Sequence, residues 1–427
     1  MLGVVGAQYL KILTIVIHSL TLPNDRSVVN GGTLAKIGAV PDAYDGREQA
    51  FIKHELLKGY LEKLFFIVGG AARKGGRIEL RYVDCFAGPW GDDSDDLKST
   101  SIAISLHTLD VVRQKLGRNG VSATIRALYI EKEPGPFARL QAYLTDNTPS
   151  GIHAEAWNGD FVAKRADLLQ WAGRDAFTFF FIDPKGWKDV GIGKLKPLLE
   201  RPRSEFLINF MYDFVNRTMS MPEWRSEMAE LLGEAISVDA MTPAQREHAI
   251  LKAYRGNLKR VCVDATRPQF PPRSAYVRVL DREKQRPKYH LVYVTTHPLG
   301  IIEFMTISET VDLVQKQVRA ELRDAKRERE TGVQDMFGTA VDTEAGHAGV
   351  ADVDRFWLDY LAAGERRVDE KAFADILEDK DWFPGDLQAS LVRLIDAGRV
   401  RNLDASRRRP TKPLHYKDGD RLQRTGD

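Results

Sequence analysis

The sequence predicts an α/β protein whose open, doubly wound, mostly parallel sheet ends in an antiparallel hairpin and is followed by a small C-terminal domain. Three observations carry this reading. Short apolar runs alternate with helical segments of roughly ten or more residues between about residues 77 and 212. Two alternating strands then flank a polar turn at 274–296. Beyond a polar stretch, a new set of short amphipathic segments begins near Val350.

The elements follow in order. FIKHELLKGYLEKLFFIV (51–68) sets Phe51, Leu56, Leu57, Tyr60, Leu61 and Leu64 on one helix face. After a glycine-rich basic turn, RIELRYVDCF (77–86) alternates and then runs apolar, as a buried strand does. The unit recurs as helix 100–116, strand 123–131, helix 135–144, strand 152–157, helix 161–172 and strand AFTFFFID (176–183). The segment LKPLLE then leads to the strand EFLINFMY (205–212), a helical stretch to about Tyr254, and the hairpin. Residues 308–330 read as a charged amphipathic helix. The domain expectation is therefore an extension (1–45), a main α/β domain (46–337), a linker (338–350) and a C-terminal domain (351–427).

Composition narrows the function. The 427 residues are 43% hydrophobic and 29% charged, which suits a globular chain of two domains. A net charge of +2 excludes a global basic field but leaves room for a local basic patch. Two cysteines, Cys85 and Cys262, build neither a disulfide framework nor a Cys-type zinc site, and a reducing, cytoplasmic setting fits them. Residues 3–22 are apolar, but Lys11 and His18 interrupt them and neither a basic leader nor a cleavage site frames them. The run reads as an extension without an assigned function, and no membrane role is expected. His54, His107, His153 and His290 lack metal-ligand spacing and read as polar surface or helix positions, so no metal is expected.

Chemistry concentrates at strand ends. Asp84-Cys85-Phe86-Ala87-Gly88-Pro89-Trp90-Gly91 closes the first strand, where open parallel sheets bind ligands and glycine admits close backbone approach. Glu131 ends the second strand, placed to accept two ribose hydroxyls, and Asp160-Phe161 follows the third, where the acid suits an exocyclic amine. Asp183-Pro184 closes the fourth. Each acid also suits a helix N-cap, but four at consecutive strand ends converge on one sheet edge. No G-x-G-x-x-G or P-loop is present, and Asp92, Asp93, Asp95 and Asp96 repel phosphate. A ligand with a ribose, an adenine and a cationic centre but no phosphate fits: S-adenosylmethionine. Asp183 is the expected hydrogen-bond acceptor for a target amine, and Trp187 offers a stacking face. A Cys85 nucleophile is disfavoured, because Asp84 beside it raises the thiol pKa.

YVDCFAGPWG, the STSIAISL helix, YIEKE, NGDF, FIDPKGW and FLINF, in that order, resemble the three-Cys-motif partner protein family, TcmP. The match runs from the KHELLKGYL helix to the end of the chain. The resemblance implies a Rossmann-like methyltransferase sheet, S-adenosylmethionine as cofactor, and a partner bearing a three-cysteine motif. It places Asp84, Gly88 and Gly91 near the methionine part, Glu131 at the ribose, Asp160 at the adenine, and Asp183 and Pro184 at the acceptor, with Phe86 and Phe161 also expected to bind the cofactor. Lys98-Ser99-Thr100 departs from the family's Gly-Ser-Pro, and D-P-K-G-W departs from the D-P-P-Y of amino-methyltransferases.

The tail carries a second clue. Residues 351–396 hold twelve acids against six bases, whereas 397–427 hold nine bases against four acids. The segment 383–416 reads as a helix, a strand, a basic turn and a returning strand, the layout of a winged helix. Its exposed helix side is expected at Asp386, Gln388, Ser390 and Arg393, with Arg399, Arg407, Arg408, Arg409 and Lys412 toward nucleic-acid phosphates. The alternative is a non-catalytic scaffold that delivers the three-cysteine protein (a radical-SAM-like protein) to DNA or RNA.

Overall fold

The computed structural model describes residues 40–72, 74–88, 97–262, 269–282, 284–332 and 348–426. Gly91, the acidic run 92–96, residues 1–39 of the extension and 338–347 of the linker lie outside the described residues.

Helix α1 (Glu48–Gly70) precedes strand β1 (Arg77–Asp84). Then come α2 (Ser101–Arg118), β2 (Ser122–Glu131), α3 (Pro134–Asn147), β3 (Ile152–Asn158), α4 (Arg165–Ala172), β4 (Phe177–Ile182), α5 (Ile192–Leu199) and β5 (Ser204–Phe210). The sheet order is β3-β2-β1-β4-β5-β7-β6, with β6 (Arg273–Leu280) and β7 (Pro287–Thr295) forming the hairpin. The first five strands are parallel, and β7 runs antiparallel between β5 and β6. Every residue of β4 and β5 is buried, which is why those strands lack polar alternation.

Strand periodicity assigns the two faces. Tyr82, Tyr129, Phe179, Phe181 and Leu207 share one core cluster with Leu57, Leu61 and Phe65 of α1. Val83, Phe180, Ile182, Phe206 and Ile208 share the other with α5, α7 (Arg225–Leu232) and α8 (Pro243–Val261). A Cβ on Gly69 would sit 2.4 Å from Leu116 Cδ1, so this glycine sets the approach of α1 to α2. Between β5 and α7 lies the short helix α6 (Tyr212–Thr218). The amphipathic helix expected over 308–330 is longer, α9 (Pro298–Thr331), because Pro298 suits a first turn and the His297 ring accepts from Leu299 N.

The C-terminal unit has helices α10 (Val350–Tyr360), α11 (Glu370–Lys380) and α12 (Pro384–Asp396), with a three-stranded antiparallel sheet. That sheet is ordered β8 (Arg366–Val368), β10 (Asp420–Arg424), β9 (Val400–Asn402). The returning strand therefore lies at 420–424 rather than within 413–416, and β8 was not foreseen. Strands of three to five residues rich in arginine leave too little alternation to detect. The expected exposed side of α12 holds at Arg393, with Asp386 half-buried, but is overturned at Gln388 and Ser390. Gln388 is buried and bonds both backbone groups of Leu414, while Ser390 is buried and donates to Asp354. Their side chains were read as solvent-facing because they are polar; the backbone and a carboxylate satisfy them inside.

Ion pairs tie this unit to the main sheet. Glu378 accepts from Lys259 Nζ (2.8 Å), Arg273 Nη1 (3.3 Å) and Ser274 N (3.1 Å), and Arg255 donates to Asp381 at 2.7 Å. Arg273 is only 3% exposed, so losing a partner strands a buried charge. Glu378→Ala is expected to destabilise the chain by about 3 kcal/mol, the low end for a broken buried pair, because Arg273 keeps Asp375 at 2.6 Å. A lowered urea midpoint would register it.

Candidate functional site

The carboxyl ends of β3, β2, β1, β4 and β5 lie along one sheet edge, and register aligns their polar residues. Glu131 pairs with Asn158, Asp84 lies opposite Tyr129 and Phe181, and Ile182 pairs with Ile208. Tyr82, Tyr129, Phe181 and Leu207 point to the α1 face. Two residues further on, Asp84, Glu131, Asp183 and Asn209 emerge on that same face.

Asp84 is fully buried. Its Oδ1 accepts from Phe86 N (3.1 Å) and its Oδ2 from Ser101 Oγ (2.6 Å), at the first turn of α2. Burial pushes its pKa up to about 7, a trend Asp183 reinforces and these donors and Lys53 oppose. The Lys98-Ser99-Thr100 stretch supplies the cap of α2, since Thr100 Oγ1 accepts from Ala103 N at 3.4 Å. Cys85 N donates to Phe181 O and Ala87 N to Ile130 O, threading the turn between β4 and β2. Gly88 is buried beyond it. Burial first and Asp84 second push the Cys85 thiol well above its usual range, which disfavours a thiolate there.

Glu131 is buried and accepts from Glu133 N at 2.6 Å. Burial raises its pKa, against the backbone donors and Lys185. Asn158 Nδ2 and Gly159 N both reach Glu131 O, at 3.0 Å each, and lock the β2 and β3 ends together. Gly159 has φ +146°, and a Cβ there would meet Lys164 Cε at 2.9 Å. Asp160 caps the following turn, its Oδ1 accepting from Val162 N (2.9 Å) and Ala163 N (3.2 Å). Its Oδ2 lies 3.6 Å from Lys132 Nζ. The buried Phe161 ring meets Phe86 at 5.1 Å, forming an apolar wall between the β1 and β3 ends.

Asp183 is engaged on both oxygens. Lys53 of α1 pairs with Oδ2, and Asn209 Nδ2 donates to Oδ1 at 2.6 Å. Because a carboxylate only accepts, this bond orients the amide, and Asn209 Oδ1 is left buried without a donor. Pro184 is buried. Trp187 is 5% exposed, packed against Phe214 (6.1 Å) and Trp224 (5.9 Å). Lys53, Ser101 and Asn209 are the site residues that sequence reasoning missed. Asn209 alone left a trace, as a lone amide in the apolar run FLINF.

Of the four histidines, His107 and His153 are exposed and His54 stands on helix α1, while His290 lies in β7 and departs from the surface-or-helix reading. His54 is buried with its ring 3.0 Å from Tyr44 Oη, and His290 is buried 2.9 Å from Glu247. Among the described residues, no three His, Cys, Asp or Glu gather to hold a metal ion. None of the described helices is long and apolar enough to cross a membrane.

In the tail, Arg393 pairs with Asp354 (2.7 Å), Arg408 with Asp396 (2.7 Å) and Arg409 with Asp420 (2.5 Å). Arg399, Arg407 and Lys412 are exposed and make no ion pair among the described residues. A groove of about 450 Å³ there is lined by Ile395, Val400, Arg401, Arg407, Arg408 and Arg409. A second concavity, of about 570 Å³, lies beside β3 at Trp157, Lys164 and Trp171. Neither includes Asp84, Glu131 or Asp183.

The strand order 3-2-1-4-5-7-6 with β7 reversed is that of an open, doubly wound, Rossmann-like sheet that ends in an antiparallel hairpin. No family model and no curated protein matches the chain. Solved structures resemble it distantly. Protein LPL1258 of Legionella pneumophila shares 12% identity over 63% of this chain and 91% of its own, with TM-score 0.33. The O-methyltransferase of Bacillus cereus, in complex with SAH, shares 11% over 68% and 90%, with TM-score 0.29. PKMT2 of Rickettsia typhi shares 10% over 86% and 95%, with TM-score 0.24.

Proposed function

We propose that this chain is a three-Cys-motif partner protein with an S-adenosylmethionine-dependent methyltransferase-like site, acting on or bound to nucleic acid. The alignment of Asp84, Glu131, Asp183 and Asn209 on one face of the carboxyl edge carries the reading. The donor set fits the cofactor: buried carboxyls suit an ammonium and ribose hydroxyls, and the Phe86–Phe161 wall suits a planar ring. The cofactor would supply an electrophilic methyl group on a sulfonium. Asp84, set by Ser101 and Phe86 N, would hold the cationic amino acid end. Glu131 would hold the ribose, and Asp160 would receive the adenine amine on the oxygen that its capping bonds leave open. Asp183, paired with Lys53, would accept from the target amine through its remaining lone pairs while Asn209 fixes its plane.

The test is calorimetry of the full chain with S-adenosylmethionine. Saturable binding is expected, weakened about tenfold by Glu131→Gln, in keeping with one lost charge-assisted hydrogen bond. No heat of binding to the wild type would end this reading.

The C-terminal unit supports a winged helix: three helices, a three-stranded antiparallel sheet, and a basic connection between β9 and β10. Arg399, Arg407 and Lys412 are exposed cations of this unit without an ion pair among the described residues, so phosphate contact is assigned to them first. Arg407→Ala and Lys412→Ala should each flatten the salt dependence of nucleic-acid binding by about one unit of slope. Arg408→Ala should change it less, because Asp396 already neutralises that guanidinium. Equal slopes in all three variants would count against the wing.

One observation favours a second reading, a non-catalytic scaffold that partners the three-cysteine protein. Asp183 already has both oxygens engaged, and Trp187 is packed away from solvent. Co-purification with that partner independent of Asp84 would support it.

A further inference from the structure

Resting on the nucleic-acid reading above, we infer that Phe214 is a stacking platform for an unpaired nucleobase beside the strand-end site. Among the described residues only four large apolar side chains are exposed: Phe214 (41%), Met221 (41%), Met241 (39%) and Val350 (61%). Phe214 stands on α6, which starts directly after the β5 end that carries Asn209. Asn209 donates to Asp183, and Trp187, four residues beyond Asp183, meets the Phe214 ring at 6.1 Å and 30°. Phe214 is therefore backed by a buried indole and tied through two strand ends to the proposed acceptor group.

Cations frame this ring. Arg217 lies 5.8 Å over the Phe214 centroid. Lys188 Nζ lies 5.8 Å over Trp187 and 5.4 Å over Trp224, is exposed, and makes no ion pair among the described residues. Lys185 is exposed two residues past Asp183. A 41% exposed aromatic ring with the Lys188 ammonium nearby, and over it the Arg217 guanidinium that Asp213 pairs at 3.3 Å, matches a base and its flanking phosphates once the base takes the place of Arg217 on the ring. A protein partner would call for a broader apolar surface than one ring and one methionine. The base must be unpaired, because a duplex hides the faces on which an aromatic ring stacks.

The experiment uses the full chain and a single-stranded oligonucleotide carrying 2-aminopurine. The wild type should quench the probe. Phe214→Ala should lose the quench and bind about tenfold more weakly, a typical loss for one stacked base, and Phe214→Trp should retain both. Lys188→Gln should flatten the salt slope by about one unit. Wild-type quench and affinity in Phe214→Ala would overturn the platform. So would a Phe214→Ala effect confined to self-association in sedimentation, which would assign the ring to a second copy. Calorimetry with S-adenosylmethionine runs in parallel. Absent cofactor binding with intact quenching removes the methyl-transfer reading alone, and intact cofactor binding without quenching removes the platform alone.

Discussion

Asp84→Asn should abolish saturable binding of S-adenosylmethionine and at the same time stabilise the free protein. The amide is nearly isosteric: its oxygen can accept from Phe86 N and its nitrogen can donate to Ser101 Oγ, so the turn after β1 keeps its bonds. What disappears is a carboxylate in a fully buried place. Its folded pKa, about 7, stands above the ordinary aspartate value of 3.8. The native state therefore binds more protons than the unfolded chain between those values, and wild-type stability falls as pH rises through that window. Below pH 4 the carboxyl is neutral in both states and costs nothing. Above pH 7 the full penalty applies, on the order of 4 kcal/mol. The gain from Asp84→Asn should be absent at pH 4, grow to its maximum near pH 7 and stay level beyond, as read by urea denaturation at several pH values. Wild-type cofactor affinity should weaken below pH 7, where Asp84 takes up a proton and loses its charge. Undiminished binding by the variant would remove Asp84 from the site.

The second large effect is expected at Asp183. Asp183→Asn should lower methyl transfer to a nucleic-acid pool by about 10²–10⁴, the range for a positioned acid-base group, while leaving cofactor affinity near wild type. That split separates the acceptor side from the cofactor side, because Asp84 and Glu131 remain intact. Lys53→Met removes the ammonium that balances Asp183. Both groups are largely shielded, at 14% and 18% side-chain exposure. The cost should be about 3–5 kcal/mol of folding stability, because a desolvated carboxylate is left unpaired. Labelled methyl transfer unaffected by Asp183→Asn would give the acceptor role to another residue, and no transfer by the wild type would favour the scaffold reading.

Much of this site was readable along the chain. Each of Asp84, Glu131 and Asp183 ends an apolar run, and a parallel sheet carries all such ends to one edge. Period-two alternation even sets their common face, since the residue two before each of them is an aromatic of one core cluster. The partners were not readable. Lys53 lies 130 residues from Asp183 and looks like any lysine on an amphipathic helix. The exposed side of α12 was misjudged for a related reason. Gln388 and Ser390 are polar, and only the position of Leu414 and Asp354 shows that their hydrogen bonds can be met indoors.

The layered α/β plan, the order of the main sheet's elements and the carboxyl edge on which acids collect follow from the chain alone. Hydrophobic periodicity is local, and burying apolar faces leaves few ways to stack the elements. Tertiary structure decided what each acid is doing. Burial and neighbours turn Asp84 into a near-neutral acid, hold Asp183 between Lys53 and Asn209, and leave Asp160 as a cap beside Lys132. It also decided which tail arginines stay available, because Asp354, Asp396, Asp420 and Asp404 pair with Arg393, Arg408, Arg409 and Arg421. Charge states and pairings depend on distances of a few ångströms between residues far apart in the chain, and only the folded chain sets those distances.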